Sequence, residues 1–132
     1  MKRALHSKVI ILITVLTAAF LLTSCGQASN NYKNISAQEL KKMLDSKEKI
    51  FLVDVHVPEQ AHITATDLFV PFTDVAQNLG KFPKDKNAKI VVYCRSGNMS
   101  QEASAELVKN GYTDVSNLEG GIYSWKAAGY GL

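Results

Sequence analysis

One stretch, residues 90–100, constrains the fold of this chain more than any other. Four apolar residues, Ile90 to Tyr93, form a predicted buried strand that runs directly into Cys94. A short polar loop with a glycine follows, and the pattern predicts a helix from about Ser100. Cys94 is therefore expected at the carboxyl end of a strand and below a helix N-terminus, which is where ligands bind in open α/β sheets.

The surroundings predicted for Cys94 favour a thiolate over a thiol. Loop N–H groups can converge into an anion-binding concavity, and the dipole of the following helix adds partial positive charge. Cysteine thiols in such places lose their proton more readily than free cysteine does. The sequence thus predicts an ionised, nucleophilic Cys94, and the alternative is a buried, inert cysteine that packs as a small apolar residue.

The rest of the chain alternates short apolar strands with helical segments. Residues 50–55 are apolar on both faces, as expected for a strand that helices cover on both sides. This alternation predicts one α/β domain with a largely parallel sheet. The predicted strands are residues 32–35, 50–55, 68–71, 89–93 and 115–118, and the predicted helices are residues 37–46, 74–79, 100–110 and 121–128.

Two of these helices carry capping signals at their starts. Ser36, with Glu39 three residues later, is typical of a capping box that begins a helix at Ala37. Thr73 is predicted to cap the short helix of residues 74–79.

The loop that begins at Cys94 resembles the active-site loop of the rhodanese family of sulfurtransferases. In that family the loop begins with cysteine, carries glycine at its fourth position and often reads Cys-Arg-Ser-Gly-Asn-Arg-Ser. The one departure here is Met99, which stands where the family often has a cation. The matching residues are Cys94, Arg95, Ser96, Gly97, Asn98 and Ser100.

Two flanking segments strengthen the resemblance, since three motifs in the right order are far more specific than one. Residues 52–59 are similar to the family's Asp-Val-Arg-x-Pro-Glu segment, with His56 in place of the arginine. Residues 118–130 are close to the family's usual C-terminal helix. The resemblance covers about residues 32–132.

The resemblance implies a three-layer domain over residues 32–132, with a central, mostly parallel sheet covered by helices on both faces. It also implies a sulfurtransferase that moves a sulfane sulfur from a donor such as thiosulfate to a thiol, protein or cyanide acceptor. Cys94 would be catalytic and carry the sulfur as a persulfide, with no cofactor. The implied substrate-binding residues are Arg95, Ser96, Gly97, Asn98, Met99 and Ser100.

Several positions beside the loop leave alternatives open. Asp54 is either a carboxylate that faces a ligand or supports the loop, or a strand-end residue bonded to nearby backbone. His56 is expected to support the site in place of the family's arginine. His56 and His62 have no cysteine or carboxylate cluster in register with them, so no metal site is predicted.

Met99 leaves the mouth of the loop one positive charge short of the usual pattern. This predicts weak binding of a dianion such as thiosulfate. A phosphatase loop of the form Cys-x5-Arg would need arginine at Ser100, and a dithiol oxidoreductase would need a second cysteine near Ser96 or Gly97. The remaining alternative is a non-catalytic rhodanese-like module that binds a partner or carries sulfur without turnover.

The first residues form a predicted address signal. Lys2, Arg3 and Lys8 precede an apolar stretch over residues 9–22, which is typical of a secretory signal. The Leu-Thr-Ser-Cys ending resembles a bacterial lipobox and implies cleavage of residues 1–24 and lipidation of Cys25. An uncleaved N-terminal anchor is the alternative.

The same address signal sets the expected localisation and partners. Residues 25–31 would tether an extracytoplasmic domain to the cell membrane through the lipid on Cys25. Residues 1–24 hold three of the 15 Lys and Arg residues and none of the 12 Asp and Glu residues. The remaining chain is therefore formally neutral, which argues against nucleic-acid binding. With Cys25 lipidated, Cys94 is the one remaining thiol.

Overall fold

The computed structural model describes residues 31–132. The predicted signal peptide (residues 1–24), the lipidation at Cys25 and the tether up to residue 30 lie outside the described residues. Within the described part, no helix has the length and apolarity that crossing a lipid bilayer requires.

A single sheet of five short strands forms the centre of the domain, in the order β1-β5-β4-β2-β3. Every neighbouring pair is parallel, so all strand carboxyl ends meet at one edge. Cys94 follows the central strand at that edge. The strands are β1 (Lys33–Ile35), β2 (Phe51–Asp54), β3 (Leu68–Phe69), β4 (Ile90–Tyr93) and β5 (Val115–Leu118).

The described residues form three α-helices: α1 (Ala37–Asp45) between β1 and β2, α2 (Asn98–Lys109) between β4 and β5, and α3 (Gly121–Ala127) after β5. The capping box predicted for α1 is confirmed. The backbone N–H of Glu39 donates to Ser36 Oγ at 3.2 Å, and the backbone N–H of Ser36 donates to the Glu39 carboxylate at 2.7 Å. These bonds satisfy two donors that would otherwise lack partners at the helix start.

Two apolar clusters show that the sheet is covered on both faces, which confirms the predicted three-layer fold. Successive residues of a strand point to opposite faces. Val92 and Cys94 therefore join the cluster that contains Ala103 and Leu107 of α2. Val91, Tyr93 and Leu52 join the other cluster, together with Leu40 of α1 and Ile122 and Trp125 of α3.

The bounds and the Thr73 cap predicted for a helix of residues 74–79 are wrong. The segment forms two short 3₁₀ helices, Phe72–Asp74 and Ala76–Lys81, and Thr73 caps neither, because its hydroxyl donates to the Asp74 carboxylate. Asn78 departs from helical geometry with φ of −110°. Asn78 and Gly80 both have low helix propensity, which disfavours a continuous α-helix here.

Helix α3 is docked directly onto the residues that follow β4. The N–H groups of Ile122 and Tyr123 donate to the carbonyl oxygens of Cys94 and Arg95 at 2.9 and 3.0 Å. A Cβ at Gly121 would lie 2.3 Å from the Cys94 carbonyl oxygen, and Gly121 has φ of +55°. Only glycine permits this approach, so it fixes α3 against the loop.

We expect Gly121→Ala to destabilise the domain by more than about 2 kcal/mol, since a left-handed alanine costs about 1–2 kcal/mol before the clash is counted. Urea unfolding followed by circular dichroism measures this change. Gly80→Ala is the matched control, because a Cβ added at Gly80 would have nothing within 4 Å. Equal unfolding midpoints for the two variants would contradict this account of α3 docking.

Candidate active site

The Cys94 sulfur lies below the N-terminus of α2. The residue is 1% exposed and its sulfur faces α2. The N–H of Gly97 donates to Sγ at 3.1 Å, and the Ser100 hydroxyl oxygen lies 3.4 Å from Sγ. The thiol is buried, but it is in contact with polar groups that can stabilise an anion.

The turn after Cys94 presents further backbone donors. Gly97 has φ of +106°, which lets the chain reverse and begin α2 at Asn98, two residues earlier than predicted. The N–H groups of Asn98, Met99 and Ser100 have no acceptor in the part of the chain that the structure describes. Unpaired donors and the helix dipole together make this end of α2 suited to an anion.

The residues of the loop fall into two groups by their burial. Gly97 and Ser100 are buried beside the sulfur, and Met99 is half-buried and packs against the cluster below α2. Arg95, Ser96 and Asn98 are exposed. The six predicted binding residues thus lie on one continuous turn around the sulfur. The Met99 side chain, predicted at the mouth of this loop, packs partly against the core below α2.

Asp54 organises the neighbouring loop after β2. Its carboxylate is fully buried and accepts a hydrogen bond from the backbone N–H of His56 at 2.9 Å. The same carboxylate bonds to His62 Nδ1 at 2.9 Å and accepts weaker bonds from the Gln60 amide. Asp54 thus combines two of the predicted alternatives, with one bond to nearby backbone and several side-chain bonds to the loop.

The two histidines of this loop are held in different ways. His56 is buried, and its Nδ1 lies 2.7 Å from the carbonyl oxygen of Pro58, so that nitrogen carries the hydrogen. His62 lies between Asp54 and Glu59. Desolvation by itself would lower the pKa of His62, but its hydrogen bonds to both carboxylates and their charges outweigh this and raise the pKa.

Tyr93, the last residue of β4, forms hydrogen bonds with the last residues of the same loop. Its hydroxyl accepts the N–H of Ile63 at 3.0 Å and lies 2.7 Å from Thr66 Oγ1. Burial is the main cause that raises the pKa of Tyr93 to about 12, so the hydroxyl stays protonated. The strand pattern predicted Tyr93 as a core residue and gave no indication of this second contact.

Asn117 is a second residue that the sequence analysis missed. It is fully buried on β5 and lies 2.6 Å from the Ser100 hydroxyl oxygen. Its position inside a predicted strand of a helix-covered sheet was the available signal, since a buried amide requires a hydrogen-bond partner. No group of three or more metal-ligating side chains converges anywhere in residues 31–132.

Comparison with known proteins gives matches over the same part of the chain as the resemblance described above. The family described as "Rhodanese-like domain" matches residues 36–128. A sulfurtransferase of Allochromatium vinosum is 37% identical over 97 residues, which cover 72% of this chain and 89% of that protein. A rhodanese-related protein of Thermoplasma volcanium, 26% identical, superimposes with a TM-score of 0.65 over 76% of this chain and 96% of that one.

Another relative is much longer than this chain. The protein named "Probable adenylyltransferase/sulfurtransferase MoeZ" of Mycobacterium tuberculosis is 37% identical over 95 residues, which cover 69% of this chain. The match spans 24% of that relative, about a quarter of its length. The family match, the similar fold and the shared extent agree, and the chain belongs to the rhodanese-like domain family.

Proposed function

We propose that this protein is a sulfurtransferase that carries a sulfane sulfur on Cys94. The Cys94 thiolate attacks the outer sulfur of a donor such as thiosulfate; the donor's S–S bond breaks, and sulfite leaves with the bonding electrons. A thiolate or cyanide then attacks the outer sulfur of the Cys94 persulfide. That S–S bond breaks in turn, and the Cys94 thiolate is regenerated with no net redox change.

The observation that carries this proposal is the contact between the Gly97 N–H and Cys94 Sγ at 3.1 Å. A backbone donor held at this distance before the reaction stabilises negative charge on sulfur without reorganisation. The loop therefore needs no partner base, in line with the absence of a histidine bonded to the sulfur among the described residues.

The free N–H groups at the start of α2 supply the second requirement, a place for the donor's anionic group. Asn98 and Met99 belong to the first turn of α2, where unpaired donors and the helix dipole favour an anion. The exposed Arg95 adds a positive charge beside the loop. Because Cys94 is only 1% exposed, a slender donor with a terminal sulfur fits this access better than a bulky one.

Exposure of the purified protein to thiosulfate should add one sulfur, about 32 Da, to Cys94. The adduct is measured by mass spectrometry on the tryptic peptide of residues 90–95, which excludes any signal from Cys25. Cys94→Ser should abolish the adduct, and a thiol or cyanide should remove it from the wild type. If no sulfur donor loads Cys94, the non-catalytic module is the better description.

Replacing Met99 by arginine should increase kcat/KM for thiosulfate, since a cation beside the anion-binding loop strengthens attraction of a dianion. Met99→Gln is the matched control, because it removes the apolar side chain without adding charge. The gain should shrink as salt is added, in keeping with electrostatic screening. An unchanged or lower kcat/KM in the arginine variant would refute this role for position 99.

We also propose that the domain is anchored outside the cytoplasmic membrane by a lipid on Cys25. The support is the basic start of the chain, the apolar residues 9–22 and the lipobox-like ending before Cys25. Stable anchoring needs two acyl chains, which a diacylglyceryl thioether on Cys25 would supply, and the lipobox resemblance also implies acylation of the new N-terminus.

In a bacterial host, the mature wild type should begin at Cys25 and carry the added mass of its acyl chains. Cys25→Ser should accumulate as the longer precursor that retains residues 1–24. Cys94→Ser serves as the control and should be processed like the wild type. Identical, unacylated N-termini in all three proteins would show that the lipid anchor is absent.

A further inference from the structure

Buried polar side chains lead away from the Cys94 sulfur toward β1. The Ser100 hydroxyl oxygen lies 3.4 Å from Sγ and donates to Asn117 Oδ1 at 2.6 Å. Asn117 Nδ2 in turn donates to Asn34 Oδ1 at 2.9 Å. Ser100 and Asn117 are both fully buried, so the bond between them lies out of contact with solvent, whereas Asn34 at the end of the chain of bonds is exposed.

The sheet explains why Asn117 occupies this place. Asn117 pairs in register with Asn34 of β1 on one side and with Val92 of β4 on the other. Alternation along the strands puts Asn117 on the face that α2 covers, as its bond to Ser100 shows. A buried amide is costly unless it is paired, and here both its oxygen and its nitrogen have partners.

The Ser100 hydroxyl has one hydrogen to donate and three acceptors within reach. Asn117 Oδ1 is the nearest at 2.6 Å, the Gly97 carbonyl oxygen lies at 3.0 Å, and Cys94 Sγ lies at 3.4 Å. With a neutral thiol, the distances favour donation to Asn117. An anionic sulfur is a stronger acceptor, because charge-assisted hydrogen bonds are roughly twice as strong as neutral ones.

We propose that Asn117 is a positioning residue that competes with the Cys94 sulfur for the hydrogen of Ser100. Donation to the thiolate leaves Asn117 Oδ1 without its partner, and this loss limits how strongly the loop stabilises the anion. Asn34 holds the Asn117 amide so that its oxygen faces Ser100. The importance of Asn117 for catalysis rests on the sulfur transfer by Cys94 proposed above.

Limited stabilisation has a benefit for sulfur transfer. The intrinsic nucleophilicity of a thiolate falls as the thiolate is stabilised, with a Brønsted slope of about 0.4–0.5. If the loop stabilised the Cys94 anion more strongly, a larger fraction of Cys94 would be ionised at a given pH. Each thiolate would, however, attack more slowly. Asn117 therefore sets a compromise between the amount of thiolate and its reactivity.

The test is the pH dependence of Cys94 alkylation by iodoacetamide in the full chain, followed on the tryptic peptide of residues 90–95. Asn117→Leu keeps the size of the side chain and removes the acceptor. We expect the pH of half-maximal alkylation to fall, with about a threefold to tenfold rise in the acid dissociation constant, as for a hydrogen bond to a charged group. The limiting rate at high pH should fall as well.

Ser100→Ala should move the half-maximal pH upward, and Asn117→Leu should have no further effect in that background, since Asn117 acts through Ser100. Asn117→Asp provides a second variant if leucine prevents folding. Its carboxylate holds the hydroxyl and repels the thiolate, so the half-maximal pH should rise. Ser116→Ala, on the opposite face of β5, is the matched control and should leave the pH profile unchanged.

An unchanged or higher half-maximal pH in Asn117→Leu would overturn the proposal and leave Asn117 a merely structural residue. So would a downward shift that persists in the Ser100→Ala background. Alkylation needs no sulfur donor, so these results stand whether or not thiosulfate loads Cys94. Failure of sulfur loading with the expected alkylation shifts would refute the transferase and not the role of Asn117.

Discussion

The structure depends on the close approach of α3 to the end of β4. Gly121 passes over the Cys94 carbonyl where no other residue fits, and the next two N–H groups bond to the carbonyl oxygens of Cys94 and Arg95. These bonds fix the first two peptide units of the loop. The turn at Gly97 can then hold its own N–H against the sulfur.

Stabilisation of an anion at this site comes from oriented dipoles and does not need a high net charge. The chain beyond residue 24 carries equal numbers of cationic and anionic side chains. The charge of a thiolate on Cys94 is met instead by the Gly97 N–H and by the start of α2. Such donors are effective because they are in place before the charge develops, in surroundings that exclude water.

A second loop forms the neighbouring part of the same edge, and it is held by groups that the strands supply. The buried Asp54 carboxylate binds the N–H of His56 and the ring of His62, and the Tyr93 hydroxyl binds the N–H of Ile63. Residues 55–66 form no helix or strand, and these side-chain hydrogen bonds hold their backbone in place. They also give a buried carboxylate the partners that it needs.

Local sequence was enough to predict the features that depend on neighbours along the chain. The capping box at Ser36, the apolar strand before Cys94 and the glycine turn after it were all predictable, because each needs only a few consecutive residues. The tertiary structure decided the contacts between distant segments, such as Ser100 with Asn117, and Asn117 with Asn34. Strand order and register bring these side chains together, and no local pattern encodes either. The packing of Met99 was decided in the same way, by the core beneath α2.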